Sequence, residues 1–163
     1  MSLDIAVLAA DVSDAAMVRF NQYMESIGLT YTLEMPEDWR TNGQWMVADQ
    51  DAELALELDV WACDENFEIM KDQAMGAQSR YFQILLSVGF GFESFAFYVG
   101  AGLAFALNAR VLDKQCIASN PFFTKIMKDI PAGTGTASEG LYDMEYALLL
   151  ANFFKAKEKN RTG

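Results

Sequence analysis

Between Asp49 and Asp72 nine carboxylates (Asp49, Asp51, Glu53, Glu57, Asp59, Asp64, Glu65, Glu68 and Asp72) stand against a single cation, Lys71. Side chains of this type can ligate a hard cation, serve as a general acid–base pair, or present negative potential to a basic partner. Calcium-loop chemistry fails on spacing. Asp49, Asp51 and Glu53 alternate as an EF-hand opening does, but the sixth position, which requires glycine, is Leu54, and the twelfth, which requires a bidentate acid, is Val60. No metal and no other cofactor is therefore expected. Paired-carboxylate catalysis needs two acids at a defined separation, and a run this rich singles out no pair. What remains is docking, and the letters 53–61 (ELALELDVW) suggest how it is presented. Leu54, Leu56, Leu58 and Val60 alternate with Glu53, Ala55, Glu57, Asp59 and Trp61, the period of a half-buried strand, which is favoured over the helix that Ala, Leu and Glu also suit. Glu57 and Asp59 then project from the face that carries Trp61, a residue type rich in interface energy. The candidate partner-binding residues are Asp49, Asp51, Glu53, Glu57, Asp59, Trp61, Asp64, Glu65 and Glu68.

Other chemistry is thinly represented. Glu93 is the one charge between Arg80 and Arg110, and burial there would raise its pKa toward acid–base use; the first turn of a helix is the plainer and preferred role for it. Gly89-Phe90-Gly91-Phe92 matches part of a dinucleotide fingerprint, but Ser94 stands at the third glycine position and Glu93 would repel a phosphate. Gly133-Thr134-Gly135 lacks the Gly-Lys-Ser/Thr ending of a P-loop. Phe90, Phe92, Phe95, Phe97 and Tyr98 are read as core before ligand pocket.

Composition narrows the classes further. The 163 residues are 52% hydrophobic and 21% charged, enough for one packed domain over 1–163, and they contain no histidine, which removes Ser-His-Asp and Cys-His nucleophiles and imidazole metal sites. The formal net charge of -11 disfavours direct nucleic-acid binding. The acidity is uneven: residues 1–75 hold 16 of the 23 carboxylates and 3 of the 12 cations. Cys63 and Cys116, without a Cys-x-x-Cys pairing, fit free thiols in the reducing cytoplasm. The residues 81–109 could pass for a membrane span, but Glu93 falls near the centre, where a carboxylate costs about 3 kcal/mol, so membrane insertion is not expected.

These residues must be positioned by strands and helices that the chain spells out in order. A strand is expected over 3–9, a helix over 14–27 with Met17, Phe20, Met24 and Ile27 on one face, and a strand over 30–35. Asn42-Gly43 predicts a turn before the apolar run 45–48. After the 53–61 strand come a short helix over 67–78, a central strand over 81–88, a helix over 94–108 and a strand over 109–112. A helix over 120–129, a linker over 131–135 and a last helix capped by Ser138, with Leu141, Met144, Ala147, Leu148, Ala151 and Phe154 on its apolar face, form a helical extension over about 120–159.

The fold class is α+β: a mainly antiparallel sheet with helices packed on one face, with a ferredoxin-like core and added C-terminal helices as the specific expectation. The expected function is a noncatalytic, cytoplasmic protein-binding module with a basic partner. In size and charge the chain is similar to small acidic inhibitors such as bacterial immunity proteins, and no motif assigns it to one of those families. Two alternatives carry their own discriminators. An enzyme or small-ligand protein would hold Glu93 or clustered carboxylates in a closed pocket, and a homodimeric adaptor would leave the last helix's apolar face uncovered within one chain.

Overall fold

A computed structural model describes residues 2–49, 51, 54–63, 81–89, 92–113 and 141–162. The expected helices over 67–78 and 120–129, the 131–135 linker and Ser138 lie outside the described residues.

Seven antiparallel strands form one sheet: β1 (Ser2–Ala9), β2 (Tyr31–Glu34), β3 (Gln44–Asp49), β4 (Leu54–Cys63), β5 (Tyr81–Gly89), β6 (Arg110–Leu112) and β7 (Leu141–Tyr142), in the order β2-β3-β4-β5-β1-β6-β7. Among the described residues four helices accompany them: α1 (Ala16–Ser26), α2 (Trp39–Asn42), α3 (Glu93–Leu107) and α4 (Met144–Thr162). The α+β class expected from the alternation of periods is what the chain adopts. Both strand–helix–strand units are present. From β1 the chain runs through α1 to β2, and from β5 through α3 to β6, each time returning to the same sheet. In a four-stranded ferredoxin-like order one strand would separate β1 from β2; here β3, β4 and β5 all lie between them.

The helices share one face of the sheet because only one set of alternating side chains is apolar throughout. Ile5, Val7 and Ala9 of β1, Ile84, Leu86 and Val88 of β5, Leu58 and Val60 of β4, and Trp45 and Val47 of β3 are all buried in one cluster with α1, α3 and α4. A helix apolar on every side must be enclosed on every side. That describes α3, in which every residue from Phe95 to Ala104 is buried, and which packs on β1, β5 and β6 below, α1 on one flank and α4 on the other. Gly102 permits the α1 contact: a Cβ there would lie 2.6 Å from Phe20 Cε2 and 2.5 Å from Met24 Cε.

The last helix differs from expectation at its start. Leu141 and Tyr142 pair with Leu112 and Val111 as β7, and the helix begins at Met144 with Asp143 as its cap, Asp143 Oδ1 accepting the Tyr146 N–H at 3.0 Å. A strand this short carries no readable period, so Leu141 passed for the first anchor of the helix. Ala147, Leu150, Ala151 and Phe154 are buried, with Phe154 stacked on Phe97 of α3 at 5.3 Å, so this apolar face is covered within the chain.

The two ends of β2 to β4 are fixed by local chemistry. Asn42-Gly43 does mark a turn: Gly43 takes a left-handed conformation (φ 74°) after α2 and its carbonyl accepts the Val60 N–H at 2.7 Å. On the sheet margin, the Leu33 N–H of β2 donates to Asn21 Oδ1 of α1 at 3.0 Å. No helix among the described residues is long and apolar enough to cross a membrane; the apolar stretch around Glu93 is divided between β5 and α3.

On the helix side, three tyrosines are packed among rings. Tyr23 stacks on Phe105 at 5.4 Å, Tyr31 meets Phe95 edge-on at 5.0 Å, and Tyr98 is buried between them and the Glu158 carboxylate of α4. Burial pushes Tyr23 and Tyr31 up to about 12, aided at Tyr31 by the negative charges of Asp49 and Glu158, and pushes Tyr98 up further still. A tyrosine raised above its unfolded value of about 10 adds stability that is complete below that pH and lost as pH rises through the folded value. Urea unfolding is therefore expected to show stability falling from about pH 10 to about pH 12. Absorbance at the phenolate band should show these three tyrosines ionising only as the fold is lost; their ionisation near 10 in the folded state would contradict the packing.

Candidate functional site

On the face of the sheet opposite α1, α3 and α4, the strands β2 to β4 collect the acids. The register sets Glu57 of β4 opposite Met46 of β3, and Met46 opposite Glu34 of β2, so the two glutamates flank one methionine across three strands. Asp59 lies opposite Gln44 on one side and Leu85 of β5 on the other. Glu34, Glu57 and Asp59 are exposed, while Leu58 and Val60 between and beside them are buried, as the alternation of β4 requires. Among the described residues no cation pairs with Glu34, Glu57 or Asp59; Lys155 of the C-terminal helix instead approaches Glu158, at 3.9 Å. Glu57 and Asp59, two residues apart on a strand, are separated by about 7 Å, a repulsion of about 0.6 kcal/mol in water. That is a small cost for a folded domain, and it leaves a standing negative potential.

A structural irregularity lies beside these acids. β4 and β5 are paired only from Asp59–Leu85 to Cys63–Tyr81, although β4 begins at Leu54 and β5 continues to Gly89. Beyond Asp59 the strands fork, β4 staying with β3 and β5 with β1. The fork contains a cavity of about 180 Å³ lined by Ala55 and Leu56 from β4, Ser87, Val88 and Gly89 from β5, and Phe92 and Phe95 at the start of α3. Ala55, Ser87, Gly89 and Phe92 are exposed, so the cavity opens to solvent. Asp59 is at the crotch and Glu57 is two residues from Ala55 on the same strand. On the opposite side the Ser87 hydroxyl donates to Asp4 Oδ1 of β1 at 2.6 Å.

The structure therefore brings together part of the expected cluster. Glu57 and Asp59 share the exposed face, and Trp61 follows them in β4 register, opposite Gln83. Asp49 is used differently: its Oδ1 accepts the Thr30 hydroxyl at 2.6 Å and the Asp51 N–H at 3.1 Å, closing the turn after β3. Asp51 is exposed in that turn. Glu53, Asp64, Glu65 and Glu68 lie outside the described residues. Glu34 joins the surface although it lies outside the acidic run; only the cross-strand register, which sets it beside Met46 and so across from Glu57, reveals it.

Glu93 is the first residue of α3. Among the described residues no group of three or more Cys, Asp or Glu is placed to hold a metal ion. Comparison of the chain with protein-family models, curated proteins and solved structures finds no match.

Proposed function

We propose that the protein is a noncatalytic binding module of the small-inhibitor or immunity type, which neutralises a cytoplasmic partner by covering a basic surface with the acidic face that β2 to β4 turn away from α1 and α3. The observation that carries this is the placement of Glu34 on β2 and of Glu57 and Asp59 on β4, flanking β3 on one face, exposed and without a paired cation among the described residues. A rigid sheet presents such charges at fixed spacings, so the field is preorganised and little side-chain ordering remains to be done on binding. Like charges gathered on one face also weaken the fold slightly, a cost that a docking role accounts for.

The test is a panel of basic enzymes, nucleases foremost because their substrate grooves already hold cations for phosphate. One member is expected to bind and be inhibited. The double variant Glu57→Lys/Asp59→Lys should weaken that complex by about 100-fold or more, since desolvated interfacial charge pairs are commonly worth about 1.5–7 kcal/mol. The fold should persist, because both side chains are exposed. Affinity unchanged by the double reversal, or no member bound, would remove the proposal.

A further inference from the structure

The fork between β4 and β5 offers more than charge, and we infer that it receives an aromatic side chain carried on an extended, lysine- or arginine-rich segment of the partner. This rests on the proposed basic partner and deepens it. Three observations point to that occupant. The cavity, about 180 Å³, is close to the ~150 Å³ that suffices for a benzene ring, and too small for most free ligands, whose sites begin at about 300 Å³. Its walls include the rings of Phe92, 53% exposed, and Phe95, which suit edge-on or offset contact with another ring. Because the ladder stops at Asp59–Leu85, the backbone edges of residues 54–58 and 86–89 that face the fork take no part in β4–β5 pairing, and an extended peptide supplies partners for such edges.

Charge selects the rest of the segment. Glu57 and Asp59 stand exposed on β4 beside the opening, so residues flanking the inserted ring on that side meet carboxylates. A ring entering beside these carboxylates with lysine or arginine next to it buries apolar area and matches charge in one motion.

The experiment uses the full chain, labelled with nitrogen-15, and three peptides: Lys-Lys-Gly-Phe-Gly-Lys-Lys, the same with alanine replacing phenylalanine, and Glu-Glu-Gly-Phe-Gly-Glu-Glu. The lysine peptide with phenylalanine is expected to bind about ten-fold more tightly than its alanine counterpart, with the largest amide shifts at Ala55, Ser87 and Gly89. Ala55→Leu, which fills the opening, should erase that preference while leaving the alanine peptide's affinity unchanged; Phe92→Ala, which removes a wall, should reduce it. Equal affinity for the phenylalanine and alanine peptides, or a preference that survives Ala55→Leu, overturns the cleft assignment while a retained lysine-over-glutamate preference leaves the acidic-face proposal standing. Binding of the glutamate peptide as tightly as the lysine peptide overturns both.

Discussion

Replacing Gly102 by leucine is expected to abolish cooperative unfolding of this protein. Gly102 is where α3 crosses α1, and even a single added carbon would approach Phe20 Cε2 at 2.6 Å and Met24 Cε at 2.5 Å, both side chains being fully buried. The Met24 methyl can rotate away, but the Phe20 ring is held in the core and cannot. Gly102→Ala should thus lose about 1–3 kcal/mol by overpacking, partly offset by about 1 kcal/mol of improved helix propensity. Leucine adds three further carbons with nowhere to go. Its cost is expected to exceed about 3 kcal/mol, a large part of the stability of an ordinary domain. Urea unfolding followed by circular dichroism reads both variants, and Gly102→Ala combined with Phe20→Leu should lose less than the sum of the two single losses, because the two sites share one contact. A Gly102→Leu protein with an unchanged midpoint would show that the α1–α3 contact is not as close as described.

Trp45→Ala is the second substitution with a large expected effect, and it reaches the acidic face. Among the described residues Trp45 is the largest fully buried side chain, meeting Trp39 of α2 edge-on at 5.2 Å, and Trp39 in turn meets Phe82 of β5 at 5.7 Å. Removing it should cost about 3–5 kcal/mol. Trp45 also lies opposite Leu58, the residue between Glu57 and Asp59, so the β3–β4 ladder that spaces the two acids loses its packing underneath. Trp45→Phe should be much milder. The ring is retained, and the indole N–H that it deletes is buried with no hydrogen-bond acceptor among the described residues, which returns about 1–3 kcal/mol against the lost volume. Equal losses for the two variants, measured by urea unfolding, would mean that the tryptophan cluster does not hold this end of the sheet.

The parts of this architecture that were legible in the sequence are those with enough residues to show a period. β4 announces its two faces through Leu56, Leu58 and Val60 against Glu57 and Asp59, and β5 shows itself as a central strand by its bulky apolar run. Helix α3 was placed within one residue at each end because its apolar run starts after a glycine-containing break and stops at Asn108, which takes a left-handed conformation (φ 50°). Strand β7 was hidden because two residues have no period. The diversion of Asp49 to Thr30 was hidden for a different reason: the two are 19 positions apart, and only the β2–β3 pairing brings them together. The fork is the least legible feature of all. Residues 54–58 and 86–89 alternate as good strand sequences should, and nothing in their letters says that each keeps a different neighbour.

The hydrogen bond from Leu33 to Asn21 bears on how copies of this chain meet. β2 is the outermost strand, and a bare margin of this kind invites another molecule to add a strand and continue the sheet without limit. Here the amide that a newcomer would need first is already occupied from α1. Self-polymerisation along that border must begin by breaking an internal bond, so crowding alone does not favour fibrils there.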